Sequence, residues 1–107
     1  MNPQTEGRVA SFLGLCLRAG RLVTGQEACV ELARRDAAAL VLMDGGVSDN
    51  TRKRMTDACR SHQTPLYELP PGVLGHSIGK PGRMMAAIGP DGMADRLLEM
   101  LQGEPRL

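Results

Sequence analysis

Three cysteines and two histidines are the first side chains to consider as nucleophiles or metal ligands. Cys16, Cys29 and Cys59 are widely spaced and include no C-x-x-C pair, so neither a disulfide framework nor a cysteine zinc site is indicated. Cys59 and His62 are three residues apart on a predicted helix, but two ligands do not complete a zinc site. The P-loop, dinucleotide-binding and H-E-x-x-H motifs are absent. We therefore expect no catalytic residue, no metal and no cofactor.

A second kind of chemistry, anion binding at a helix N-terminus, is predicted after the first helix. Thr24 and Glu27 have the Thr-x-x-Glu spacing of a capping box, which predicts that a helix begins there. Gly25 would form the turn in front of it, where free N–H groups and the helix dipole can bind a phosphate. Arg18 and Arg21 lie just upstream and could add charge to the same place. The alternative is an ordinary capped helix after an ordinary turn.

The composition restricts the possible functions of the chain. Its 107 residues predict a single domain over residues 1–107, with a core from about 3 to 102. One Phe, one Tyr and no Trp are too few rings for a base-stacking platform. The net charge of +1 argues against binding of nucleic acid through the overall charge of the protein, but it allows a local basic surface. We see no signal peptide and no membrane span, so we expect a cytoplasmic protein without a membrane partner.

The elements that would position these residues are predicted from hydrophobic spacing. A helix from Asn2-Pro3 onwards, with Asn2 as its cap, is expected to bury one face, and Gly20 is expected to stop it. The members of that face are Val9, Phe12, Leu13, Cys16 and Leu17. After it come a strand at 22–23, a second helix, a strand at 40–43, a helix at 50–62 capped by Ser48 or Asp49, a strand at 66–69, a short helix at 73–78, a strand at 84–88, a helix capped by Asp91, and a frayed tail at 103–107. This alternation predicts an α/β fold, a three-layer α/β/α sandwich around a mixed sheet of about four strands.

Two basic segments are candidates for a functional role. Arg52, Lys53 and Arg54 stand near the start of a helix, where positive charge is unfavourable, so they indicate either a functional role or simply a solvated face. The second segment is a glycine-rich loop from 79 to 83, which contains Lys80 and Arg83.

The order of five stretches resembles a known family. FLGLCLRAGRLVTGQEA, AALVLMDGGVSDNTRKRMTDAC, TPLYEL, LGHSIGK and RMMAAIG follow one another as in the ribosomal protein superfamily that binds kink-turn RNA, of the L-seven-Ae type. The chain looks most like the small bacterial YlxQ-type branch, from about Val9 to Leu101. The resemblance implies a three-layer α/β/α fold, binding of structured RNA near the ribosome, and no enzymatic activity.

The resemblance also implies which residues contact RNA. In the family, these are the turn after the first strand, the first half of the second helix and the loop before the last strand. With the neighbouring charges, the expected RNA-binding residues are Arg18, Arg21, Thr24, Gly25, Gln26, Glu27, Glu31, Arg34, Lys80, Gly82 and Arg83. Arg52 and Lys53 would extend this surface. Ala28 lacks a group that could bind a base edge, and carboxylates at Glu27 and Glu31 would repel a phosphate backbone.

Two functions follow from these observations. The first is an RNA-binding protein associated with rRNA or the ribosome, which reads RNA shape and phosphates. The second is a protein–protein interaction module on the same scaffold, favoured by the two glutamates, because a fold does not fix its function. The sequence leaves open whether Glu27 faces a ligand or closes the capping box, and we expect the capping role.

Overall fold

The computed structural model describes all 107 residues, and helices and strands alternate along the chain. The elements are α1 (Pro3–Arg18), β1 (Leu22–Thr24), α2 (Gln26–Arg34), β2 (Leu40–Asp44), α3 (Asp49–Ser61), β3 (Leu66–Leu69), α4 (Val73–Ser77), β4 (Met85–Ile88) and α5 (Gly92–Met100). The α/β fold with a mixed four-stranded sheet is confirmed, and β3 has the predicted bounds.

The four strands form one sheet in the order β1-β4-β2-β3. Strands β2 and β3 are parallel, with Val41 opposite Leu66, whereas β4 is antiparallel to both β1 and β2. Consequently the C-terminal ends of β1, β2 and β3 and the start of β4 lie side by side, along the edge of the sheet that the strand ends form. The loops at this edge carry the residues considered below.

Alternate residues of the central strands supply two separate cores. In β2, Leu40 and Leu42 face one cluster, which also includes residues of α1, α4 and α5. Val41 and Met43 face the other cluster, which includes residues of α2 and α3. Because successive side chains of a strand point to opposite faces, a continuous apolar run is required when both faces are covered. The helices therefore form two layers around the sheet, as predicted.

Three predicted helix caps are present. The side chains of Asn2, Ser48 and Asp91 accept hydrogen bonds from backbone N–H groups in the first turns of α1, α3 and α5, at 2.8, 3.2 and 2.8 Å. Gly20 follows α1 with a φ of 71°, the left-handed conformation expected of a glycine that ends a helix.

The capping box predicted for α2 is wrong. Thr24 stays in β1, paired with Ala86, so the cap position falls to Gly25, which has no side chain. Because Thr24 belongs to the strand, its hydroxyl makes no capping hydrogen bond to α2. Glu27 is left free for another partner, described below.

The predicted fraying of the C-terminal tail is also wrong. The backbone N–H of Leu107 donates to the carbonyl of Leu66 at 2.8 Å. The N-terminal amine of Met1 lies 3.6 Å from Glu104. Strand β3 is at the edge of the sheet, and its unpaired carbonyl accepts a bond that draws the tail against it. None of the five helices combines the length and hydrophobicity needed to cross a bilayer.

Candidate functional site

A cleft of about 360 Å³ opens at the sheet edge where β1 ends and β4 begins. Its floor is the start of β4, and its walls come from the first residues of α2, the loop into α3 and the loop before β4. The lining residues are Gly25, Gln26, Val47, Ser48, Thr51, Gly82, Arg83, Met84 and Met85. Four predicted site residues are thus brought together from two distant parts of the chain: Gly25, Gln26, Gly82 and Arg83.

Gly25 has a backbone conformation that favours glycine. Its φ is 101° and its ψ is 145°, a conformation that L-residues with a side chain rarely adopt. Its N–H donates to the carbonyl of Met85 at 3.0 Å, which ties the turn to β4. A Cβ atom here would lie 2.8 Å from Nη1 of Arg83. The Arg83 guanidinium therefore sits against the start of α2, where backbone N–H groups are exposed.

A chain of hydroxyl groups orients the side chain of Gln26. The backbone N–H of Thr51 donates to Oγ of Ser48, and that hydroxyl donates to Oγ1 of Thr51 at 3.0 Å. Thr51 in turn donates to Oε1 of Gln26 at 3.3 Å. With its oxygen engaged, the Gln26 amide presents its NH2 group as a hydrogen-bond donor. Ser48 and Thr51 were not predicted as site residues, and only the predicted capping role of Ser48 placed it near a helix start.

Asp44 is buried at this edge of the sheet and holds two of its loops together. Its side chain accepts from the N–H of Gly46 at 2.6 Å and from that of Gly72 at 2.8 Å, so it joins the loops after β2 and β3. It is 2% exposed. Asp44 lines a second cleft of about 350 Å³, which shares Gly82, Arg83 and Met84 with the first. A carboxylate directly after a buried strand and before Gly-Gly was the signal that could have identified it.

The predicted loop carries the free charges of the site. Lys80 and Arg83 are exposed, and neither has an acidic group within 4.0 Å. The loop packs on α4, because a Cβ at Gly75 would lie 3.0 Å from the carbonyl of Lys80. Two cations on a supported loop beside open helix N–H groups form a surface suited to anions.

The two glutamates of α2, which were predicted to repel a phosphate backbone, are each paired with an arginine. Both carboxylate oxygens of Glu27 accept from Arg54 of α3, one at 2.9 Å. This hydrogen bonding lowers the pKa of Glu27, and the nearby charge of Arg34 lowers it further. Glu31 lies 3.7 Å from Arg35 on the same helix. The expected capping role of Glu27 is therefore replaced by an ion pair.

Arg18 and Arg21 are not brought to the cleft. Arg21 precedes Leu22, which pairs with Ile88 at the opposite end of β1 from Gly25, and its guanidinium binds Asp91 at 2.5 Å. Arg18 ends α1, and its Nη1 would lie 3.5 Å from a Cβ on Gly14. An extended strand of three residues spans about 10 Å, which separates both arginines from the turn at Gly25.

The basic start of α3 is largely neutralised. Arg52 binds Glu68 and also donates to the carbonyl of Gly45 at 3.2 Å. Lys53 binds Asp57 one turn further along, at 2.9 Å. The sequence allows either a functional role or a solvated face for this segment. The contacts of Arg52 and Lys53 favour a solvated, ion-paired face.

The cysteines are free and buried, as expected of small apolar side chains. Burial raises the pKa of the Cys29 thiol to about 12 and that of Cys59 to about 11. Cys29 also donates to the carbonyl of Val23 at 3.6 Å. Deprotonation is therefore suppressed, and the thiols are poor nucleophiles. No group of three or more His, Cys, Asp or Glu side chains is arranged to hold a metal ion.

Residues 8–97 match the family described as the ribosomal protein L7Ae/L30e/S12e/Gadd45 family. The chain belongs to this family. Within it, the chain is 37% identical over 91 residues to the RNA-binding protein YlxQ of Bacillus subtilis, which covers 84% of this chain and 91% of the relative. It is 31% identical over 104 residues to the RNA-binding protein YlxQ of Enterococcus faecium, which covers 96% and 100%. The resemblance to the bacterial YlxQ branch is thereby confirmed.

Solved structures agree with this assignment to the L7Ae/L30e/S12e/Gadd45 family. A Bacillus halodurans protein of unknown function superimposes with a TM-score of 0.81 at 29% identity, over 89% of this chain and 97% of that one. The Giardia lamblia 15.5kD RNA binding protein superimposes with a TM-score of 0.76, over 95% and 88%. At 16% identity, this second likeness supports the fold alone.

Proposed function

We propose that this chain binds structured RNA through the cleft between α2 and the loop before β4. The observation that carries the proposal is the position of the Arg83 guanidinium, which lies against Gly25 at the open N-terminus of α2. A phosphate placed there meets a cation, free backbone N–H groups and the positive end of a helix dipole together. Family membership and the name of the YlxQ relatives support RNA as the source of that phosphate.

Each part of the cleft has a role in this proposal. Lys80 and Arg83 bind phosphates, while Gly25 and Gly82 allow the RNA backbone to approach closely. Gln26 donates its oriented NH2 group to an acceptor on a base edge or a sugar. Thr24 holds the turn through its pairing with Ala86 in the sheet, and Glu31 is paired with Arg35 on the exposed face of α2. Arg18 and Arg21 stand too far from the cleft to share these contacts, and they bind RNA only if it extends past β1.

The RNA that suits this surface is recognised by its shape. One Phe and one Tyr provide no stacking platform, so recognition rests on phosphate geometry and a few polar contacts. We propose a sharply bent RNA of the kink-turn kind, present in rRNA or at the ribosome in the cytoplasm. The protein acts by binding, without an enzymatic step and without a cofactor or a small-molecule substrate.

A binding titration tests this proposal. The purified protein would be titrated against a fluorescent kink-turn RNA and an unkinked duplex of equal length, at 50 mM and 150 mM KCl, about the range over which phosphate contacts weaken. We expect the kink-turn RNA to bind at least 10-fold more tightly than the duplex, a difference of about 1.4 kcal/mol. Equal and strongly salt-dependent binding to both would refute recognition of the bend. No binding to either RNA would replace this proposal with the protein–protein interaction module.

A pair of variants locates the binding surface. Arg83→Gln removes the guanidinium beside Gly25, and we expect it to raise the Kd roughly 10-fold or more, as loss of a charge-assisted contact does. Arg8→Gln is the matched control, because Arg8 is exposed on α1, in the opposite helix layer, and has no acidic partner. Equal effects of the two substitutions would show that binding is not localised at the cleft.

A further inference from the structure

We infer that Arg54 of α3 is a further phosphate-binding residue, held in place by Glu27 of α2, so that the RNA surface continues from α2 onto α3. This inference rests on the proposed RNA-binding function. It concerns two side chains that are adjacent to the cleft but do not line it. Glu27 acts here as a positioning residue and not as a contact to RNA.

The first observation is the geometry of the ion pair. Nη1 and Nη2 of Arg54 donate to the two carboxylate oxygens of Glu27, which is the two-pronged arrangement of guanidinium with carboxylate. A guanidinium has five N–H donors. Two are used by Glu27, so three remain for a second anion. The fixed plane of the pair directs those donors away from Glu27.

The second observation is that the pair belongs to a row of contacts between α2 and α3. Gln26 and Glu27 are consecutive on α2, and they meet Thr51 and Arg54, which are one turn apart on α3. The first contact is at the cleft and the second is next to it. A phosphate chain that leaves the cleft along these helices therefore meets Arg54 next.

The third observation is the local charge. The neighbouring cations of α3 are committed elsewhere, Arg52 to Glu68 and Lys53 to Asp57. Arg54 alone of the three is turned towards α2. Arg34 is close enough to lower the pKa of Glu27, so one carboxylate faces two guanidinium groups. The surface around Glu27 thus has a net positive charge, although the sequence of α2 alone suggests a negative one.

Three variants test the inference by salt-dependent titration with the kink-turn RNA. Arg54→Gln should raise the Kd roughly 5- to 10-fold and lower the slope of log Kd against log salt by about 1, the change for one lost phosphate contact. Arg54→Lys should keep the slope but bind with intermediate affinity, because the ammonium group of lysine cannot donate two parallel hydrogen bonds as a guanidinium group does. Arg60→Gln is the control: Arg60 is exposed on the last turn of α3 and has no acidic partner. It should leave both quantities unchanged.

Glu27→Gln distinguishes positioning from simple repulsion. If Glu27 positions Arg54, its removal both releases Arg54 and takes away a negative charge. These effects oppose each other, so the Kd should change less than about 2-fold in the wild-type background. In the Arg54→Gln background Glu27 is unpaired, and the same change should tighten binding roughly 5-fold, a non-additivity expected of directly interacting residues. The thermal unfolding midpoint should hardly move in any variant, because exposed ion pairs contribute little to stability.

The outcomes separate this inference from the proposed function. Wild-type protein that binds no RNA overturns both. Wild-type protein that binds RNA, with Arg54→Gln indistinguishable from Arg60→Gln, overturns only the role of Arg54. Equal tightening by Glu27→Gln in both backgrounds overturns the positioning role and leaves Glu27 as a repelling charge.

Discussion

The Arg83 guanidinium is packed so closely on Gly25 that a Cβ atom at residue 25 would lie 2.8 Å from its Nη1 atom. The two residues are 58 positions apart in sequence. They meet because β1 ends beside the start of β4, where the N–H of Gly25 donates to Met85. The glycine is therefore required for its backbone conformation, and its lack of a side chain leaves the Arg83 guanidinium in place.

Substitution of Gly25 tests both requirements. Gly25→Ala should lower the free energy of unfolding by about 1–3 kcal/mol, because its φ of 101° is strained for alanine. It should also displace Arg83 and weaken RNA binding. Gly20→Ala is the control, since Gly20 has a φ of 71° but open space around it. It should lose about 1–2 kcal/mol of stability without loss of RNA affinity. Denaturant unfolding and titration measure the two effects, and equal affinities of the variants would contradict this account.

The buried carboxylate of Asp44 gives a prediction on stability. Asp44→Asn replaces one acceptor oxygen by an NH2 group that faces a backbone N–H, so Gly46 or Gly72 loses its partner. We expect a loss of about 1–3 kcal/mol in the free energy of unfolding. Asp57→Asn, which removes only an exposed ion pair with Lys53, should change it by about 0.5 kcal/mol or less. Urea unfolding of both variants provides the comparison, and similar losses would show that Asp44 is not an anchor.

The Asp91 cap predicts a pH dependence of stability. The hydrogen bond from the backbone N–H of Ala94, followed by that from Arg21, lowers the pKa of Asp91 from its ordinary value of 3.8. The ionised carboxylate is therefore favoured in the folded state. Its contribution is complete above the unfolded value and is lost as the pH falls through the lower, folded value. The unfolding midpoints of wild type and Asp91→Asn should differ at pH 6 and converge below about pH 3.8. A difference that grows as the pH falls would contradict the assignment.

The cysteines should resist alkylation in the folded protein. Burial raises the pKa of Cys29 to about 12 and of Cys59 to about 11, and it also raises that of Cys16. At pH 8 the thiolate form is therefore rare, and each sulfur is shielded from the reagent. We expect iodoacetamide to label none of the three in native buffer and all three in denaturant, as counted by intact mass spectrometry. Rapid native labelling of one site would place it in a more open environment.

The sequence predicts the fold well because local signals and hydrophobic spacing agree. Asn2, Ser48 and Asp91 cap helices as expected, and the apolar run of β2 is buried on both faces. The failures are at helix α2 and in the tail. Thr24 has the spacing of a cap but is retained in β1 by pairing with Ala86, a partner 62 residues away. Leu107 is fixed by the free edge of β3, which no local pattern of the tail indicates.

The site is predicted only in part, for the same reason. Spacing and resemblance identify Gly25, Gln26 and Arg83, which the fold brings into one cleft. They also place Arg21 beside that turn, although its partner is Asp91 at the far end of β1. The negative charge of Glu27 is neutralised by an ion pair with Arg54, which belongs to another helix. The sequence shows that the Glu27 side chain is negatively charged. Whether that charge is neutralised depends on how α2 packs against α3.

The most direct test of the central claim is a map of the RNA contact on the protein. Two-dimensional amide NMR spectra of isotope-labelled protein would be recorded with and without the kink-turn RNA. We predict that the largest changes in chemical shift fall on Gly25, Gln26, Gly82 and Arg83, and that α1 residues such as Ser11 and Leu15 are unaffected. Changes concentrated on α1 and α5, or a spectrum unaltered by a stoichiometric excess of RNA, would contradict it.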